Sequence, residues 1–192
     1  MSLRQEIWAS LRGYVVLAAL FGGLYSLFVL GAAHVLSPHT ANGSLVTSGG
    51  QVVGSTLIGQ AFTGPRWFHG RPSATSPTPY NAANSGGTNY GPTNPALISE
   101  VAANMAQYPG IAAAAIPPDL VESSASGLDP DITPQAALIQ VPIVAAARGM
   151  NPAMVRALVA QFTEKRWLGM YGAPRVNVLE LNLALAKAAG RG

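Results

Sequence analysis

The stretch Gly13–Leu36, GYVVLAALFGGLYSLFVLGAAHVL, contains no Asp, Glu, Lys or Arg. A helix rises about 1.5 Å per residue and the hydrocarbon core of a bilayer is about 30 Å thick, so the stretch is long enough to cross it. It reads as a transmembrane helix. The competing reading is a secretory signal peptide, for which Gly31-Ala32-Ala33 would serve as a small-residue cleavage site. The apolar centre of such a peptide runs to only about 7–15 residues, and the length favours an uncleaved anchor.

The flanks give an orientation. Arg4 and Arg12 precede the span with only Glu6 against them, and no charged residue follows until Arg66. An excess of Lys and Arg stays cytoplasmic, so the sequence predicts a cytoplasmic tail over 1–12, the span over 13–36, a linker over 37–50 and an extracytoplasmic domain over 51–192. Gly22-Gly23 thins the middle of the span, either for close packing against another membrane helix or facing lipid.

Of 192 residues, 49% are hydrophobic and 10% charged, with a net charge of +3. That balance suits one span plus one modest domain, and without a basic run it carries no nucleic-acid footprint. The chain has no cysteine, which excludes disulfides, Cys-ligated zinc and thiol catalysis.

Beyond the span, SPHTANGSLVTSGG (37–50) is polar, uncharged and glycine-rich, and reads as an irregular linker. Ser48-Gly49-Gly50-Gln51 has the form of the signature peptide of ABC-type ATPases. No GxxxxGK[ST] phosphate loop accompanies it, and a turn entering a strand is the preferred reading. QVVGSTLIGQ (51–60) fits a short strand with a bend at its glycine. Residues 61–95 are dense in Pro, Gly, Asn, Ser and Thr, yet carry Trp67, Phe68, Tyr80 and Tyr90, large apolar surfaces that a solvated linker would not hold. They predict a long ordered loop pinned to the core by its rings.

Asn94-Pro95, Thr133-Pro134 and Asn151-Pro152 each place a capping side chain before a proline at a helix start. They predict helices over about 95–107, 134–148 with a kink at Pro142, and 152–165 burying Met154, Leu158 and Phe162. Leu120-Val121 and Arg175–Val178 read as short strands, and a last helix runs through Leu181 and Leu185. Helices and strands without regular alternation make an α+β domain.

Several polar residues have two readings. Arg71 could hold a phosphate or carboxylate, or pair with an acidic residue such as Asp129 and fasten the loop; pairing is preferred. Asp129 and Asp131 could bind a cation, but the helix cap at Thr133 explains the turn without a metal. Asn177 and Asn182 are expected to satisfy backbone groups. His69 is the only histidine of the domain, and an envelope hydrolase built on His69 with Asp129 is the rival function, though no spacing supports a metal or catalytic site there.

Taken together, Ala41-Asn42-Gly43-Ser44-Leu45, Leu57-Ile58-Gly59-Gln60, Phe68-His69-Gly70-Arg71-Pro72-Ser73-Ala74, Ser85-Gly86-Gly87-Thr88-Asn89, Ser124–Asp129, Ile132–Ala137 and Val176–Leu185 resemble the KdpC family of the Kdp-type potassium-transporting ATPases. One departure is Ile143, where that family usually carries an arginine. The resemblance implies a non-catalytic accessory subunit of a bacterial inner-membrane pump. Its partners would be a potassium-conducting subunit, which carries the ion, and a P-type catalytic subunit. The resemblance alone also implies a role in raising the catalytic subunit's affinity for ATP, with ATP as a ligand, and this conflicts with an extracytoplasmic domain. On this reading the contact surface draws on Trp67, Phe68, His69, Arg71, Tyr80 and Asn89 of the long loop and Ser126 and Asp129 of the turn, with Gly22 and Gly23 packing in the membrane. No residue is assigned to catalysis or metal binding.

Overall fold

The computed structural model of the chain describes residues 2–190. They fall into two compact units divided after Leu45.

The first unit is dominated by one continuous helix, α1 (Leu3–Leu36), of 34 residues. At about 1.5 Å per residue it spans about 50 Å, well beyond a bilayer core. The stretch 3–12, read as a separate tail, is the opening of the same helix. It starts where the Ser2 N–H donates to Gln5 Oε1 at 2.9 Å. Arg4, Trp8 and Arg12 follow at intervals of four and so share a face, two cations around an aromatic ring, as suits a headgroup region. None of the residues of α1 is buried, and from Gly13 onward apolar side chains cover its whole circumference, the pattern of a helix suited to lipid. Its middle, Ala18–Tyr25, is π-helical and contains Gly22-Gly23. Ser26 Oγ donates to the Phe21 carbonyl five residues back, at 3.2 Å.

The linker is more ordered than its composition predicts. Pro38–Ala41 forms a short helix, α2, and Leu45–Ser48 a strand, β1, paired with β2 (Gln51–Ser55) in a two-stranded sheet. Gly49 (φ 60°) and Gly50 (φ 81°) supply the left-handed turn between them, so the signature-like peptide is a hairpin turn.

After β2 the chain runs to Asn94 with a single 3-10 turn, Ala82–Asn84. Helix α3 (Pro95–Met105) follows, capped by Asn94 Oδ1 at the Ala96 N–H. Leu120 and Val121, read as a strand, are buried, but Pro118–Leu120 is a 3-10 turn, because prolines at 117 and 118 remove the donors a strand needs. Then come β3 (Asp131–Ile132), α4 (Pro134–Arg148), α5 (Pro152–Gln161), β4 (Thr163–Glu164), β5 (Arg175–Asn177) and α6 (Val178–Ala189). The second sheet is antiparallel in the order β3-β5-β4. Thr133 and Asn151 cap α4 and α5 as their sequence predicts, and Gly149 ends α4 at φ 66°. Pro142 is tolerated inside α4 on its exposed side.

The core joins α4, α5, α6 and β5 through Ala137, Val141, Val144, Val155, Val159, Val176, Leu181 and Leu185. The expected buried face of α5 is turned: Val155 and Val159 are inside, Leu158 and Phe162 partly so, and Met154 is 52% exposed. The helix also ends at Gln161, since the Thr163-Glu164 backbone pairs with β5 instead. The domain is α+β.

Candidate functional site

The long loop is ordered by two amide side chains that grip consecutive residues. Asn182, on α6, accepts from the Phe68 N–H and donates to the Phe68 carbonyl, both at 2.9 Å. Gln140, on α4, does the same for His69, at 2.8 and 3.1 Å. Each amide replaces the neighbouring strand that this backbone lacks. Both are buried, and the Phe68 ring between them is fully enclosed. Phe68 is therefore an anchor from within, and its side chain is not on the surface that the sequence proposed for it.

From this anchor the loop folds over Tyr80. The Tyr80 hydroxyl donates to the Arg71 carbonyl. Its ring occupies the space where a side chain on Gly59 or Gly70 would be: a Cβ built on Gly59 would collide with Tyr80 Cε1 and lie 2.6 Å from the Asp129 carbonyl oxygen. Ser73 Oγ donates to the Gly127 carbonyl at 2.7 Å and accepts from the Tyr80 N–H at 2.9 Å, while Thr75 Oγ1 donates to the Thr78 carbonyl at 2.8 Å. The Gly86 N–H and Ser85 Oγ both donate to the Ser126 carbonyl. The loop and the turn at Ser126–Asp131 thus form one seam.

Arg71 Nη1 donates to Asp129 Oδ2 at 3.3 Å and its Nη2 to the Ser123 carbonyl at 3.4 Å. This is the preferred fastening pair. With side chains 28% and 32% exposed, it contributes at most about 1 kcal/mol. Asp131 pairs instead with Arg175, at 3.2 Å. Burial raises its pKa, Arg175 opposes that shift and Asp129 adds to it. Asn177 donates to the Thr56 carbonyl and to Asp131, and its Oδ1 caps α6 at the Glu180 N–H. His69 Nε2 lies 2.9 Å from the Gly64 carbonyl oxygen. The two residues of the hydrolase reading are therefore bound to different partners.

Trp67 is half-buried between the Phe62 ring, 5.8 Å away, and the Arg148 guanidinium, 4.3 Å from the Trp67 ring centroid. Arg148 also donates to the Arg66 carbonyl, and its pKa is lowered by burial and then by Arg66. Asn89 is exposed, with a left-handed backbone at φ 54°, and Ser126 is exposed at the seam. A cleft of about 430 Å³ opens beside the anchor, lined by Phe62, His69, Arg71, Tyr80, Asn104 and Tyr108.

Gln140 as a support of the loop and Tyr108 as a wall of the cleft were not legible in the sequence. The signal for Gln140 was a lone amide on the apolar face of α4, four residues from Ala136 and from Val144. Tyr108 is 5% exposed, and burial, then Asp119, then Tyr80 push its hydroxyl up to about 12. Tyr80 is likewise pushed up to about 12 by burial and Asp129 against Arg71. The unfolded chain releases both protons near the ordinary value of 10 and the folded chain only near 12. The stabilisation from these hydroxyls is therefore complete below pH 10 and is lost as pH rises from 10 to 12. Phenolate absorbance is expected to show these two tyrosines ionising only above pH 10, together with loss of the fold. Ionisation of both near pH 10 in the folded chain contradicts the packing described.

A helix long and apolar enough to cross a bilayer, followed by one α+β domain with a long loop held by interlocked backbone, is the architecture of a single-span module. Residues 7–187 match the family model for KdpC, the c chain of the K+-transporting ATPase. The potassium-transporting ATPase KdpC subunit of Variovorax paradoxus is 56% identical over 183 residues, covering 93% of this chain and 94% of the relative. The KdpC subunit of Methylobacterium nodulans is 53% identical over 192 residues, covering 92% and 94%, and that of Dechloromonas aromatica 52% over 178, covering 90% and 92%. The chain belongs to the KdpC family, and is an accessory subunit of a potassium-transporting ATPase complex.

Proposed function

We propose that the domain lies on the extracytoplasmic side of the bacterial inner membrane. There the seam surface docks on the potassium-conducting subunit, stabilising the assembled complex and capping the external entrance for the ion. The observation that carries this is the construction of the loop. A segment with almost no regular secondary structure is held by two buried amides and a backbone seam, and presents the exposed groups of Asn89, Tyr90 and Ser126 from a rigid base. Ordered loops of this length on a rigid scaffold are where binding surfaces are found. Orientation follows from Arg4 and Arg12 at one end of α1 and the uncharged residues 37–65 at the other. The π-helical segment at Gly22-Gly23 is the packing point in the membrane. In this orientation the domain has no access to cytoplasmic ATP, so the subunit acts on the catalytic partner through assembly.

The test uses the absence of cysteine. Ser73 is committed to the seam, whereas Ala83 is exposed, so Ala83→Cys is the reporter. In intact cells a thiol reagent that cannot cross the inner membrane is expected to label it, and assembly with the potassium-conducting subunit is expected to protect it. Labelling only after lysis reverses the orientation. Equal labelling with and without the partner removes the docking surface.

A further inference from the structure

The turn between β4 and β5 is built to expose what most turns hide. Trp167, Leu168 and Met170 are each 69% exposed and Tyr171 is 60% exposed. Single exposed apolar residues are ordinary, but four large ones on one turn form a patch. The turn is also rigid. Trp167 and Tyr171 exchange backbone hydrogen bonds at 2.9 and 3.0 Å, and their rings meet at a tilt of 46° with centroids 5.7 Å apart. Leu168 is held at φ 50°, a conformation that disfavours a leucine, and Gly169 follows at φ 74°. A leucine kept there, pointing into water, is local cost without internal return.

The charges around the patch are one-sided. At its neck Glu164 pairs with Arg175 at 2.7 Å and Arg175 with Asp131. Beyond that pair the segment 165–174 contains no carboxylate, and Lys165 and Arg166 form no ion pair among the described residues. Trp and Tyr flanked by Lys and Arg are the side chains that settle at a bilayer surface: the rings lie at the headgroup level and the cations meet anionic lipid. The same chain carries a membrane-crossing helix that ends at Leu36, just upstream of the domain. A tether that short keeps the local concentration of bilayer surface high, so a contact too weak to recruit a free protein is occupied.

We propose that the turn 165–173 is an interfacial lipid anchor that seats the domain on an anionic bilayer surface. The aromatic pair and the carboxylate-free, cationic rim together match a phospholipid headgroup layer; a protein partner is the outcome that the co-assembly arm of the test below separates. The anchor does not depend on which side of the membrane the domain occupies, so its failure and a reversal of orientation are separate results.

The test uses the full chain with one nitroxide label, at Leu168→Cys or, independently, at Met170→Cys. Both side chains point away from the core, so folding is unaffected. The control is Ala103→Cys on the exposed side of α3. In vesicles containing phosphatidylglycerol, the tip labels are expected to collide with dissolved oxygen several-fold more often than with a water-soluble nickel chelate, and the control label to show the reverse. In phosphatidylcholine vesicles, or with Lys165→Gln and Arg166→Gln combined, the ratio at the tip is expected to fall several-fold. A water-like profile at both tip positions in the anionic vesicles overturns the proposal. So does burial of the tip that appears only when the other subunits are co-assembled, which would make it a protein contact.

Discussion

Asn182→Ala is expected to destabilise the domain by about 3–5 kcal/mol, because it strands two buried backbone groups at once. The Phe68 N–H and carbonyl each have Asn182 as their partner, at 2.9 Å, beside a ring with no exposure. Alanine at 182 leaves both without a bond and opens a cavity beneath the loop. Water can relieve such a loss only where there is room and further polar partners, and Asn182 is itself only 1% exposed beside a fully buried Phe68. Denaturant unfolding of the full chain in detergent, followed by circular dichroism, measures the loss. Because the same bonds set the loop on its base, assembly with the partner subunits is expected to fall under conditions where the domain remains folded. A loss below about 1 kcal/mol would mean that the amide does not hold the loop.

The second large effect is expected from Gly127→Ala, and it is best read beside Gly149→Ala. Both glycines have φ 66°, so both substitutions carry the left-handed penalty of about 1–2 kcal/mol. At Gly149, the C-terminal cap of α4, an added Cβ meets nothing within 4 Å, and that penalty is the whole expected cost. At Gly127 the Cβ would lie 2.5 Å from Thr75 Cγ2 and 2.8 Å from the Gly86 carbonyl oxygen. The second contact is backbone, so relief requires parting the seam between the loop and the turn. Overpacking adds about 1–3 kcal/mol, for a total of about 2–5 kcal/mol. Thermal unfolding of the two variants separates the terms. If they lose the same stability, the loop and the turn are not locked as described. Gly127→Ala is also expected to abolish protection of a cysteine at residue 83 by the potassium-conducting subunit, whereas Gly149→Ala leaves it intact.

Features that depend on neighbours in sequence were legible without a structure. Gly13–Leu36 reads as a membrane helix because length and an unbroken absence of charge are enough to decide transfer into lipid. The starts of α3, α4 and α5 follow from a capping side chain and a proline that act within three residues of each other. Where local preference competed with a distant partner, it lost. Thr163-Glu164 leaves α5 because the edge of β5 offers its backbone a ladder; Leu45–Ser48, by contrast, pairs with β2 across a two-residue turn, a local hairpin hidden by the polar composition of the stretch. Met154 and Val155 are both apolar and adjacent, and only the approach of α4 and α6 selects which one is buried.

Local composition and extended similarity were therefore enough to establish one helix suited to a membrane, an α+β domain beyond it and membership of a potassium-pump subunit family. Folding in three dimensions was needed to bring Asn182 and Gln140 onto Phe68 and His69, to close the loop against the turn at Gly127, and to leave Trp167 and Tyr171 facing outward. Those outcomes depend on contacts between residues about 40 to 120 positions apart in the chain, or on which face of an element finds a neighbour. A single side chain carries no record of either.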